Sequence, residues 1–219
     1  MKKYTIRTEL KSDTLAGSGE GFGAIIDTDV VLDCVGIPYI PARRIKGCLK
    51  DSAEEVIEMF KQANITNFTA SKNIIDKVFG TPLNPALINV SNLTIEQYGD
   101  NKKWFEYLME EYPAIVTKEQ STSFFTTIRQ QTSIDDDKGI AKEHSLHTVR
   151  AIKKRNIFFG DISVDNPDDE ILKLLWLACI NLRHIGTKRN RGFGEIECRL
   201  LNTDNQEISF AGELEGVCT

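Results

Sequence analysis

The sequence predicts an α+β fold of the ferredoxin-like type, a split βαβ sheet carrying a long insertion and extra helices. Three observations support it. Residues 3–11 alternate as Tyr4, Ile6, Thr8 and Leu10 against Thr5, Arg7 and Glu9, the period of a half-buried strand. Two segments of helical period, at about 42–63 and 168–184, each lie between segments of strand period. The major elements therefore run strand, helix, strand, long insertion, strand, helix, strand, an order in which helices recur between strands of one sheet.

After the first strand comes a glycine-rich run, Gly17 to Gly23, with G-x-G-x-x-A from Gly19 to Ala24. A dinucleotide fingerprint needs a helix straight afterwards, but residues 25–33 read as extended and β-branched, which excludes a Rossmann domain. No Gly-Lys-Ser/Thr follows, so a P-loop is excluded too. A loop folded back over the sheet is expected instead.

Pro38 and Pro41 keep the residues before them extended, and Pro41 hands over to a helix at about Ala42 that should stop near Asn64. Ile45, Cys48, Leu49, Val56, Met59 and Phe60 recur at helical spacing as its buried face. Ser71 reads as the cap of a short helix ending at Phe79, and Thr81 to Pro85 as a turn. Residues 87–97 suggest one strand. Residues 101–112, with Trp104, Phe105, Leu108 and Met109, suggest an added helix packed on the body.

Residues 121–148 are polar with little helical period, and 124–132 and 145–153 read as arms of a hairpin joined by the acidic turn Ile134 to Gly139. That turn is no EF-hand, because Gly139 is misplaced and Leu146 stands where the closing Glu belongs. Residues 152–164 read as one strand, Pro167 and the acids around it start a strongly apolar helix, and residues 195–201 form the last strand. Residues 1–201 are expected as one domain, with a lid loop at about 13–41 and the helix and hairpin at about 98–148; the acidic tail 202–219 should be peripheral.

A chain of 219 residues, 41% hydrophobic and 27% charged, buries a proper core without help. Five cysteines without a C-x-x-C pair argue against a disulfide framework or zinc knuckle and for a reducing cytoplasm. Three histidines without an H-E-x-x-H arrangement argue against a His-built metal site. No apolar run suggests a secretory leader or a membrane span. A net charge of −5 excludes a diffuse, nonspecific nucleic-acid binder, so any polyanion must meet local patches.

Two such patches carry the candidate site. Arg43, Lys46 and Lys50 share one helical face with Gly47 among them, and Arg44 lies beside them in the first turn. Cations there oppose the helix dipole, and glycine inside a helix costs about 1 kcal/mol relative to Ala. Both choices make sense beside an anion, which a bare backbone lets approach; a solvated basic face is the alternative. The segment from Arg183 to Arg191 has no acid before Glu195, and Lys188, Arg189, Arg191 and Gly192 suit a phosphate-cradling loop. Arg150, Lys153, Lys154 and Arg155 form a third cluster near the hairpin.

Gly23 to Asp27 with Asp33, Gly36 to Pro41, Ile45-Lys-Gly47, Ser133 to Arg150 and Gly186 to Gly194 together resemble the RAMP superfamily of CRISPR-associated RNA-binding proteins. Within it they look most like the repeated backbone subunit of type III effector complexes. The sequence departs in one place: Ala42-Arg-Arg44 stands where the family often has small residues before the helix, so side chains should replace backbone in contacting the guide. The resemblance implies a ferredoxin-like (RRM-like) palm polymerising along a guide RNA with other effector subunits and copies of itself, and a hairpin thumb interrupting the guide-target duplex. It also implies cleavage of the complementary target RNA, assisted by Asp27 in the loop after the first strand, with Asp27 holding a divalent metal, Mg2+ by preference. A single carboxylate can hold such an ion or orient a ribose 2′-OH for attack. Three alternatives stay open: a scaffold that binds RNA without cutting, a stand-alone nuclease processing the guide precursor through His144, His147 or His184, and a plain α+β domain binding a small anion.

Overall fold

The computed structural model describes residues 1–17, 26–65, 72–132, 146–188 and 191–215. The glycine-rich run after Gly17, the Ser71 cap, the acidic hairpin turn, His144 and Arg189 lie outside the described residues.

Strand β1 (Lys2–Leu10) buries Tyr4, Ile6, Thr8 and Leu10, as its alternation predicts. It lies at the centre of an antiparallel sheet, between β7 (Ile157–Val164) and β8 (Ile196–Leu201). The far edge of β7 takes two short strands, β3 (Ile88–Val90) and β4 (Leu93–Ile95), and β4 in turn pairs with β2 (Tyr39–Ile40). With β3 and β4 counted as one position, the order β8, β1, β7, β3/β4 is that of the split βαβ sheet.

Helix α1 (Ala42–Gln62) begins and ends close to where the sequence places it. Pro41 supplies no capping side chain, and the Ala42 N–H donates instead to Asn92 Oδ1 at 2.9 Å. Asn64 takes a left-handed φ of 55° just past its end, a conformation that asparagine tolerates. Helix α5 (Asp169–Asn181) starts on Asp168, whose carboxylate accepts the Ile171 N–H at 2.8 Å. The two helices pack against each other, and the Ser52 hydroxyl donates to Ala178 O at 2.8 Å between them. Ile45, Leu49, Leu175 and Phe158 are fully buried in the core, each worth about 1.5–3 kcal/mol of burial.

Several expectations are corrected. The strand expected over 87–97 is two, broken at Ser91-Asn92, where Asn92 is drawn off to cap α1. The strand expected over 152–164 starts only at Ile157, because Lys153 to Asn156 form a turn in which Arg155 adopts a φ of 72°, and Ile152 ends the hairpin arm. Phe124 and Phe125, expected to begin the hairpin arm, instead end a helix, α4 (Lys118–Phe125), which opens on a capping box between Thr117 and Gln120. α2 spans Lys72–Phe79, and α3 (Tyr98–Glu111) packs on the body as expected, through Tyr98, Phe105 and Met109, while its Trp104 stays 63% exposed. The tail is not wholly peripheral. Phe210 packs edge-on to Trp176 with ring centroids 5.7 Å apart, Lys173 pairs with Glu213, and α6 (Ala211–Glu215) follows.

The hairpin forms as β5 (Thr126–Gln131) and β6 (His147–Ile152), a separate two-stranded sheet. Its root is fastened to the body along the free edge of β6. Thr14 and Ile152 exchange both backbone hydrogen bonds, at 2.8 and 2.9 Å, and Thr28 bridges Val149 in parallel. The described part of the segment expected as a lid is thus tied to the hairpin. Among the described residues no helix is long and apolar enough to cross a membrane.

Candidate nucleic-acid interface at the hairpin root

Asp27 and Asp29 lie on the same bridging segment but have different surroundings. The Asp29 side chain is 8% exposed; Arg150 Nη1 donates to both its oxygens, at 3.2 and 2.9 Å, and the Val30 N–H donates to Oδ1 at 2.7 Å. It is a buried structural ion pair. The Asp27 side chain is 55% exposed. Its Oδ2 accepts the Thr148 N–H at 2.7 Å and lies 3.8 Å from Nδ1 of His147, while its own N–H donates to Thr148 O. The backbone of β6 thus holds one carboxylate oxygen, and among the described residues nothing engages the other.

In an antiparallel ladder, directly opposed residues present their side chains to the same face. Gln131 opposes His147 and Arg129 opposes Val149, so Arg129 and Gln131 share a face with His147. Gln131 Oε1 accepts from Lys188 Nζ at 2.7 Å. The register therefore links Asp27, through His147 and Gln131, to Lys188 of the late basic loop.

Arg191 and Gly192 complete this region. They line a groove of about 440 Å³ with Lys11, Asp13, Arg129, Gln130 and Lys154, floored by Phe193. Segment 11–15 stitches it together: Gly194 N–H donates to Asp13 O at 2.9 Å and Thr187 N–H to Leu15 O at 3.2 Å. The loop glycines divide by role. A Cβ at Gly194 would collide with Ile185 O, whereas Gly192 has open space around it and is required only by its φ of 76°.

The basic cluster of α1 is elsewhere. Arg43 and Gly47 are exposed, Lys46 and Lys50 half-buried, and desolvation by burial lowers the Lys46 pKa. A Cβ at Gly47 would meet nothing within 4 Å, so the protein's own packing does not require glycine there. Nη1 of Arg44 is buried without a hydrogen-bond partner among the described residues. None of these five residues lines the hairpin-root groove. Nor do they line a second groove of about 530 Å³ that α1 forms with Asn181, Arg183 and His184. That groove uses the flank of Cys48, Asp51 and Glu55, roughly 140° around the axis from Arg43, Lys46 and Lys50 at 100° per residue. The third cluster is partly structural: Arg150 holds Asp29, and Lys153 Nζ donates to Ser123 O and Phe124 O at the end of α4.

Sequence reasoning missed Lys11, Asp13, Arg129 and Gln131 as lining of the groove, and His147 as a neighbour of Asp27. The hairpin register sets Arg129 and Gln131 on the face of His147. As for a metal, among the described residues no three His, Cys, Asp or Glu side chains converge to hold one. The open oxygen of Asp27 suits only an ion such as Mg2+ that takes one carboxylate and fills its remaining positions with water and phosphate oxygens.

The model of the RAMP superfamily matches residues 8–197. The chain belongs to the RAMP superfamily. No curated protein matches it. Among solved structures, it is similar to a chain of the type III-B Cmr-beta cryo-EM structure in its apo state, with a TM-score of 0.63 and 14% identity over 92% of this chain and 98% of that one. It is also similar to a chain of Cmr-beta bound to cognate target RNA, with a TM-score of 0.62 and 15% identity over 91% and 97%. At such identities the likeness is one of fold.

Proposed function

We propose that this RAMP protein is a guide-RNA-binding backbone subunit of a type III CRISPR interference complex, and that Asp27 promotes cleavage of the bound target RNA. Its partners would be the guide RNA, the complementary target RNA, copies of itself and other effector subunits. The observation that carries the reading is the convergence, at the root of the hairpin of a RAMP palm, of an exposed carboxylate and several cations on a chain of net charge −5. The resemblance in fold to chains of Cmr-beta, in one case with target RNA present, agrees with it.

The chain's own residues supply positioning. The Thr148 N–H fixes the Asp27 rotamer and leaves one oxygen facing outward. Lys188 and Arg191, with Arg189 in the same loop, would hold phosphates at the hairpin root, and the α1 cations Arg43, Arg44, Lys46 and Lys50 would hold others farther along the strand, with Gly47 and Gly192 admitting its backbone. Mg2+ held at Asp27 would supply charge stabilisation at the phosphate under attack. A ribose 2′-OH kept in line with the adjacent phosphate needs little else, because orientation is a large part of the barrier.

The test is target cleavage by the assembled complex carrying Asp27→Ala. Lost cleavage with retained RNA binding supports the reading, and unchanged cleavage reduces the protein to a scaffold. Metal-free cleavage of guide precursor by the lone protein, abolished at His147, would replace it with a processing nuclease.

A further inference from the structure

We propose that the groove at the hairpin root is a phosphate subsite for a single RNA strand, and that Asp13 occupies it as a stand-in anion in the RNA-free protein. The inference rests on the RNA-binding reading and adds to it a set of residues and an internal competitor.

Asp13 is held as a phosphate would be. Its Oδ2 takes Arg129 Nη2 at 2.6 Å and its Oδ1 takes the Lys154 N–H at 3.1 Å, so two oxygens of one anion meet a guanidinium and a backbone amide. The Asp13 side chain is only 14% exposed, whereas that of Arg129 is 57% exposed. The carboxylate therefore sits at the bottom of the groove and the guanidinium at its mouth, within reach of a ligand.

Charge is in surplus there. Four cations, Lys11, Arg129, Lys154 and Arg191, line the groove against the single carboxylate of Asp13. Lys11 is already shared between Glu9 and Glu197, at 2.8 Å each. Lys154 Nζ and the Arg191 guanidinium are exposed and have no ion pair among the described residues. Two uncommitted cations and one held by a replaceable internal anion suit a monoanionic chain of phosphodiesters. Gln130 and Gln131 add amides suited to ribose hydroxyls, and about 440 Å³ is on the scale of sites that hold small molecules.

A purely structural Asp13 would be a brace between β5 and the body, and removing it would loosen the hairpin. A stand-in anion predicts the opposite sign for RNA binding. The experiment is fluorescence anisotropy of the full chain with a labelled single-stranded RNA over a series of NaCl concentrations, with thermal unfolding as a control. Asp13→Asn frees Arg129, so RNA should bind several-fold tighter, with the log-affinity against log-salt slope steeper by about 0.7. The double variant Lys154→Gln, Arg191→Gln changes only exposed side chains; it should bind about tenfold weaker with the slope shallower by about 1.4.

Unchanged or weaker binding by Asp13→Asn overturns the inference, as does an unchanged slope in the double variant. If the slope drops only when Arg43, Lys46 and Lys50 are replaced, the inference fails and the RNA-binding reading stands. If the wild-type chain binds no RNA, both fail. Displacement of the RNA by a hexaglutamate peptide at the concentration at which unlabelled RNA displaces it would assign the groove to an acidic protein segment and also overturn the inference.

Discussion

The Asp27 carboxylate accepts a hydrogen bond of 2.7 Å from the backbone N–H of Thr148, a residue 121 positions later on the inner strand of the hairpin. This bond ties the proposed reacting group to the hairpin itself. Asp29, two residues on, is tied to the same strand through Arg150 but lies in the interior, so the two aspartates share an anchor and differ in exposure.

The two aspartates should therefore separate by phenotype. Asp27→Asn keeps an oxygen for the Thr148 N–H, so its stability should stay within about 0.5 kcal/mol of wild type while cleavage by the complex falls about 100-fold. Asp29→Asn leaves a largely buried guanidinium without its anion and should cost about 3 kcal/mol. Chemical denaturation of both variants, alongside a cleavage assay, checks the pair.

Gly47 gives a prediction of opposite signs. Nothing in the folded chain would obstruct a Cβ there, so Gly47→Ala should stabilise the free protein by about 1 kcal/mol and raise Tm by about 2–4 °C. If a strand's backbone lies against Gly47, the same methyl should weaken RNA binding. A solvated basic face would show the stabilisation with unaltered affinity.

The partly exposed faces of β1 and β8 carry an acid-sensitive network. Hydrogen bonds from Lys11 and Arg199 hold the Glu197 carboxyl below its ordinary range, and Lys11 does the same for Glu9. A carboxyl with a depressed folded-state pKa contributes stability above its unfolded pKa, near 4.3, and loses it as pH falls through the folded value. Stability should therefore decline below about pH 4.5, and Glu197→Gln should flatten that decline while lowering the neutral plateau. Raised salt should shrink the difference, since these groups are partly exposed.

The sheet, α1 and α5 were legible because each is marked locally. Alternation places Tyr4, Ile6, Thr8 and Leu10 inward, and Pro41 with Asn64 brackets α1. α4 carried its signal in Thr117-Lys-Glu-Gln120, but its eight residues, with Phe124 exposed beside the buried Phe125, show too little apolar period to be seen. The turn at Lys153 to Asn156 was hidden because its left-handed position is held by Arg155 and not by glycine. Asp27 was singled out by resemblance; its contrast with Asp29 depends on Arg150, far along the chain. The hairpin-root groove depends on a strand register, Gln131 opposite His147, that no local pattern states.

The central claim is that this protein works bound to a guide. Its most direct test is purification of the full chain from its native host, followed by sequencing of the RNA that accompanies it. A population of uniform, repeat-derived guides, recovered with other effector subunits, is the predicted result. Recovery of the protein without RNA, or with a random sample of cellular transcripts, would contradict it.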